Sequence, residues 1–338
     1  MQMRDDLGIT TKLENGKAHL EFLLPADMEG LLSAVQIEIR EAEGRLIFHG
    51  EYDPGELEPM TALLLRPHLW DGMRDPYVYQ VRAQGKFRAT ESGEKGGVTA
   101  EEETADANAI GERREVCWQQ DLPIYDVRVI DKKGIFLNEK EFPLHGVAYR
   151  LPLQVSAAGT QAEQIHRDLE LLARMGANAI RLEEPGSVMN GQDSPKIRSF
   201  YRLCRKRGFL TGDLWITSEN LPAYRGLPGA DSREALLLAD GRTLTERYYY
   251  YQAKWSSEPV LYPALSTLRR QENGLLSLTI YSNQKKVVLY VDGVLFLFQN
   301  SPSGGPEFLF EDIPVTKLPL HLAAEAGNFS ISLTVTKI

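Results

Sequence analysis

Carboxylates stand where two strand-like runs end. Residues 178–184, NAIRLEE, close on Glu183 and Glu184, and residues 209–216, FLTGDLWI, carry Asp213. Two carboxyl groups held together out of water cannot both ionise easily. One pKa rises, and the pair can then work as a general acid with a base or nucleophile. The carboxyl ends of neighbouring parallel strands are where such sites form. Successive strand residues point to opposite faces, so at most one of Glu183 and Glu184 can join Asp213. Arg150 and Arg181 stand close to the same ends, and ion pairing with them is the plainer outcome. The sequence holds no glycine-rich phosphate loop, no metal-spaced His or Cys cluster and no Gly-x-Ser-x-Gly elbow. No cofactor and no metal is therefore expected.

The elements that must position these groups are legible in turn. Residues 142–149, FPLHGVAY, read as a short apolar strand. TQAEQIHRDLELLARMGA then reads as a helix. Thr160 is a good N-cap with Glu163 three residues on, Ile165, Leu169 and Leu172 form one apolar stripe, and Gly176 stops the helix. A strand follows at 178–184. SPKIRSFYRLCRKRG is the second helix, capped by Ser194, opened by Pro195 and ended by Gly208, with Ile197, Phe200, Tyr201 and Cys204 as its stripe. A third strand follows at 209–216. This order, β-α-β-α-β, is the unit of a parallel sheet.

Strand patterns flank this centre. On the amino-terminal side, residues 18–24, 33–41, 44–52, 60–66 and 77–85 are short, β-rich and separated by turn residues, with EAEG at 41–44 as a hairpin turn and EVCWQQ as a further strand. Such spacing predicts a β-sandwich. Residues 91–113 are polar, acidic and Gly-containing and read as a long solvated loop. From Tyr248 onward the pattern returns to strands, at 275–282, 286–298, 307–313, 320–326 and 329–336, with a hairpin at Asp292-Gly293. The predicted fold class is mixed α and β: two immunoglobulin-like β-sandwiches, 1–122 and 248–338, around a central β/α domain, 123–247.

A net charge of −9 and a pI near 5.4 argue against a nucleic-acid partner, which needs a basic face. No apolar run approaches the ~20 residues of a membrane span. The opening residues, MQMRDDLGITTK, carry no apolar core or cleavage site of a secretory signal. Cys117 and Cys204, the two cysteines, make no disulfide framework. Both are expected as buried thiols, and a cytoplasmic location fits them.

Sandwich, parallel β/α units and sandwich, in that order, resemble glycoside hydrolase family 2, the group of β-galactosidases, β-glucuronidases and β-mannosidases. The likeness is carried by RPHLWDGMRDPYVYQVR (66–82), VRVIDKKGIFLNEKEFPLHGVAYR (127–150), IHRDLELLARMGANAIRLEEPGS (165–187), FYRLCRKRGFLTGDLW (200–215), LLADGRTLTERYYYYQAKWSSEP (237–259) and IYSNQKKVVLYVDGVLF (280–296), all in family order. The family's amino-terminal jelly roll has no counterpart here. The resemblance implies an eight-stranded catalytic barrel, with the acid/base and nucleophile at the ends of later strands.

The available chain contradicts that implication. A (β/α)8 barrel takes about 250 residues. Five further β/α units would need on the order of 150, since one unit takes about 30. Only 31 residues separate Ile216 from Tyr248. The expected result is a truncated barrel remnant of about three parallel strands with no catalytic residues. The Asn138-Glu139 pair, in a hairpin, does not substitute for the family's Asn-Glu. Where the family has Asn-Arg-His after strand one, this chain has Ala148-Tyr149-Arg150. Its Ser-His-Tyr-Pro becomes Leu182-Glu183-Glu184-Pro185, and its Asp-Glu becomes Asp213-Leu214. Arg150, Arg181, Glu184 and Asp213 are what the resemblance leaves of a sugar site.

Three functions follow as expectations. The first is a catalytically degenerate, β-galactosidase-like relative acting in carbohydrate binding or as a scaffold. The second is an active β-glycosidase with a rearranged or subunit-completed site. The third is a carbohydrate-binding module using aromatic faces such as Trp70, Trp118 or Trp255, although Trp70 and Trp255 fall in segments that are structural in the family. The tyrosines 248–251 could form an aromatic sugar platform, but the resemblance favours their packing a helix-to-sandwich junction. A bare face and edge of a three-stranded sheet needs cover. A short helix at 231–239, one of the sandwiches folding back, or another chain is expected to supply it, a symmetric homodimer being the preferred version.

Overall fold

The computed structural model describes residues 7–28, 30–56, 58–88, 115–151, 161–183, 195–212, 221–225, 235–238, 240–302 and 304–337. Among these are three α-helices, α1 Gln161–Met175, α2 Pro195–Lys206 and α3 Glu246–Trp255. The rest of the regular structure is strand, apart from two single 3-10 turns at Ala26–Met28 and Gly72–Arg74. The chain forms two compact units: Met1–Pro143 with Gln192–Gly208, and Leu144–Gly191 with Phe209–Ile338.

The first unit is a β-sandwich. Strands β1 Gly8–Glu14, β2 Lys17–Leu23 and β5 Met60–Leu65 make one sheet, in the order β1-β2-β5. Strands β4 Leu46–Tyr52, β3 Leu32–Arg40, β6 Tyr79–Phe87 and β7 Glu115–Leu122 make the other, in that order. The strands alternate buried and exposed residues, most cleanly in β2 and β5. One face of each sheet therefore meets the other in a common core that includes Leu20, Phe22, Ile37, Ile39, Leu64, Val81 and Trp118. The turn read at EAEG joins β3 to β4, with Gly44 at φ 89°. A three-stranded hairpin sheet follows, β8 Val127–Ile130, β9 Gly134–Leu137 and β10 Lys140–Glu141. Helix α2 belongs to this unit. The Trp70 indole N–H donates to the Arg205 carbonyl at 2.8 Å, and Lys206 pairs with Asp121 at 2.9 Å.

The second unit holds the parallel sheet. Strands β11 Gly146–Tyr149, β12 Ala179–Leu182 and β13 Leu210–Thr211 lie side by side, with Ala148 opposite Arg181 and Ile180 opposite Thr211. All four residues of β11 are buried. On the other side of β11, Ala223 bridges to Ala148 in parallel. The amide of Ala148 donates to Pro222 and that of Tyr224 to Ala148. Arg225 in turn bridges in parallel to Leu237, and Leu237 bridges antiparallel to Leu244. The edge of β11 that the sequence left open is thus paired within the chain by fragments of a few residues. Over 235–238 the expected short helix gives way to a bend and this bridge; the rest of it lies outside the described residues.

A second sandwich completes the unit. Strands β14 Leu261–Arg270, β15 Leu276–Ser282 and β18 Glu307–Ile313 form one sheet, in the order β14-β15-β18. Strands β17 Val294–Asn300, β16 Lys286–Val291, β19 Leu320–Ala326 and β20 Phe329–Val335 form the other, in that order. Leu278, Ile280, Leu289, Phe308, Phe310 and Leu322 lie in their shared core.

The tyrosine run, read as packing a helix-to-sandwich junction, is the body of α3. One expectation needs correction. Cys117 is exposed and only Cys204 is buried. Position 117 falls on the outward face of β7, whose inward neighbour is Trp118. The caps read at Thr160 and Ser194 and the acidic loop 91–113 lie outside the described residues.

Candidate functional site

The strand ends carry part of the constellation read from the sequence. Arg181 closes on Glu183, Nη2 to Oε1 at 3.1 Å, and Arg150 on the same carboxylate, Nε to Oε2 at 3.5 Å. The Glu183 amide donates to the Tyr149 carbonyl at 2.7 Å, continuing the parallel ladder one residue past β12. Both carboxylate oxygens therefore face a guanidinium, and the ion-pairing outcome holds for Glu183. Glu184 and Asp213 lie outside the described residues. The Asn138-Glu139 pair forms the β9–β10 turn, both residues at positive φ. The Asn138 amide group donates to the Trp70 carbonyl at 2.9 Å and its side-chain oxygen accepts from the Asp126 amide at 3.0 Å. Asn138 is thereby engaged in holding the hairpin, and Glu139 is exposed.

A second cluster escaped the sequence reading. Asp168 is fully buried on the inner face of α1. Its Oδ1 accepts from Gln164 Nε2 at 2.7 Å and from the Tyr224 hydroxyl at 2.9 Å. Its Oδ2 accepts from the Tyr149 hydroxyl at 2.8 Å and from Arg225 Nη2 at 3.1 Å. Burial, reinforced by the Asp168 charge, pushes the Tyr149 and Tyr224 phenols far above their ordinary range. Both stay O–H donors at any physiological pH. One carboxylate thus ties together the helix, the end of β11 and the fragment 222–225. The signal in the sequence was a charge at an apolar stripe position, four residues before Leu172 and three after Ile165. A buried carboxylate is tolerated only when paired and hydrogen-bonded, so this position demanded partners.

The aromatic candidates divide by environment. Trp70 and Trp118 are buried, and Trp255 stacks on His145 with centroids 5.1 Å apart. These three serve packing. The Tyr248 hydroxyl donates to the Leu171 carbonyl at 2.9 Å, and Tyr249 stacks on Tyr262. Tyr250 and Tyr251 line a cavity between α3 and the second sandwich. Among the described residues no cluster of His, Cys, Asp and Glu is arranged to hold a metal ion, and no helix is long and apolar enough to cross a membrane.

Comparisons with known proteins agree with this architecture. No family model matches the chain. A β-glucuronidase of Bacteroides fragilis is 28% identical over 155 residues, which is 46% of this chain and 18% of that protein. The chain therefore matches less than a fifth of the length of this curated relative. Among solved structures, an FMN-binding β-glucuronidase from Faecalibacterium prausnitzii L2-6 superposes with a TM-score of 0.68 at 14% identity, covering 98% of this chain and 73% of that one. β-Glucuronidase 2 of Bacteroides uniformis, covalently bound to cyclophellitol-6-carboxylate aziridine, gives 0.59 at 15% identity, covering 98% and 61%. The chain is glycoside hydrolase family 2-like in fold, and it accounts for only part of such an enzyme.

Proposed function

We propose that this chain is a catalytically silent, family 2-like protein that acts through carbohydrate binding or as a scaffold, with a truncated barrel remnant at its centre. The observation that carries the reading is the route of the chain after the third parallel strand. From Gly212 the chain reaches α3 at Glu246, and its described parts form single bridges beside β11, not further β/α units. Retaining glycosidases need two carboxyl groups about 5–5.5 Å apart in a closed site. The family supplies them from later strands that this stretch is too short to build. At the strand ends the described carboxylate, Glu183, is taken by Arg150 and Arg181.

The test is turnover of 4-nitrophenyl β-glucuronide, β-galactoside and β-mannoside by the full chain. The expected result is no release above buffer. Release that disappears in Glu184→Gln or Asp213→Asn would establish a rearranged active site instead. The same reading includes a second copy of this chain, or another chain, covering the three-stranded sheet beyond β13. Among the described residues β13 pairs with β12 alone, and parallel sheets are normally covered. Light scattering at micromolar concentration should give the mass of a dimer; a clean monomer would remove the homodimer from the account.

A further inference from the structure

The cavity beside α3 has the chemistry of a binding site away from the strand ends. It encloses about 670 Å³, within the range of small-molecule sites. Tyr250 and Tyr251 come from the helix, Tyr262 from β14 and Tyr281 from β15. Their rings meet mainly at their edges: Tyr250 is perpendicular to Tyr281 at 5.5 Å and to Tyr251 at 5.3 Å. Burial raises the Tyr262 and Tyr281 phenols, so each remains a neutral O–H able to donate and accept. Arg247 also lines the space. Its Nε is buried and has no hydrogen-bond partner among the described residues. That nitrogen is covered by protein atoms, so a ligand in the cavity would meet the rest of the guanidinium. Glu246 is already held, accepting from the Ser266 amide at 2.9 Å and from its hydroxyl.

The lining selects the ligand class. A purely apolar ligand would leave Arg247 and the phenols unsatisfied. A phosphate or other compact anion would gain one guanidinium but also face the Glu246 carboxylate. Tyrosine rings offer apolar faces with hydroxyl edges, which suits a ligand carrying C–H faces and many hydroxyls. We infer that the cavity between α3 and the second sandwich binds a short neutral saccharide, with the Arg247 guanidinium donating to a sugar oxygen and the tyrosines contacting ring faces and hydroxyls. This inference rests on the carbohydrate-binding reading above and gives it a site distinct from Arg150 and Arg181.

The test is calorimetric titration of the full chain with lactose, cellobiose and maltose. Variants Arg247→Gln, Tyr281→Phe and Arg150→Gln are titrated alongside, each first checked for an unchanged melting curve. At least one disaccharide is expected to bind. Arg247→Gln should weaken it by about tenfold or more, Tyr281→Phe by less, and Arg150→Gln should leave it unchanged. Should Arg247→Gln not fold, Tyr281→Phe, which keeps the ring, carries the test, and binding at full strength in it overturns the assignment. Binding lost in Arg150→Gln but kept in Arg247→Gln would overturn this site while leaving carbohydrate binding standing. Absence of binding for all three sugars would overturn the site and the carbohydrate reading together, leaving the scaffold role.

Discussion

Asp168 exchanges water for four protein donors, Gln164, Tyr149, Tyr224 and Arg225. Removing a partner from a buried ionic cluster strands the others, which is costlier than the cluster's own net contribution. Asp168→Ala leaves Arg225 beside two buried phenols with no acceptor. It is expected to lose about 3–5 kcal/mol of stability, measured by urea unfolding; a loss under about 1 kcal/mol would show that the cluster is incidental. This residue was half legible. Its place on the stripe of α1 was readable, but Tyr224 and Arg225 lie in a stretch without helix or strand period, so the sequence offered no partner to assign. Arg150 and Arg181 were legible as strand-end groups because the parallel unit around them was.

At the level of elements, the close of α1 shows how little freedom the junction has. Gly176 ends the helix at φ 88°, and a Cβ there would lie 2.6 Å from the Trp255 backbone carbon. His145 bonds the Gly176 carbonyl at 2.9 Å while stacking on Trp255. Gly176→Ala therefore meets both a backbone penalty and a clash, and should cost about 2 kcal/mol or more, read from the melting midpoint; an unchanged midpoint would refute the tight approach. The stop was visible in the sequence, but its neighbour was not, because Trp255 lies on a distant helix. Strands were read wherever alternation was clean, as in β2, β3 and β15. Strand β14 was missed since Pro263 breaks its pattern. It is tolerated because β14 lies at the sheet edge, paired with β15 alone, and an edge strand can spare a donor. Strand β1, GITTKLE, has too few apolar residues to announce itself. Helix α3 was hidden by four consecutive tyrosines, which favour strand as isolated residues; packing on α1 and the second sandwich overrides that preference.

For the whole molecule, the fold is glycoside hydrolase family 2-like, and the proposal is that its central barrel is replaced by a short remnant. The order of modules and the shortage of chain between them were readable by counting. How the shortage is resolved was not, since single bridges such as Ala148 to Ala223 leave no pattern in composition. The fragment at 222–225 closes the edge of β11, and the Asp168 cluster holds it there. Among the described residues this arrangement secures the edge of β11, and the proposal above has it do so without the pair of carboxylates that glycoside hydrolysis requires. The most direct measurement is covalent trapping, which registers a competent nucleophile even when turnover is slow. The full chain, incubated with cyclophellitol-6-carboxylate aziridine and the corresponding galactose-configured aziridine, is examined by intact-mass spectrometry. The account predicts an unchanged mass; a stoichiometric adduct mapped to an Asp or Glu side chain would contradict it.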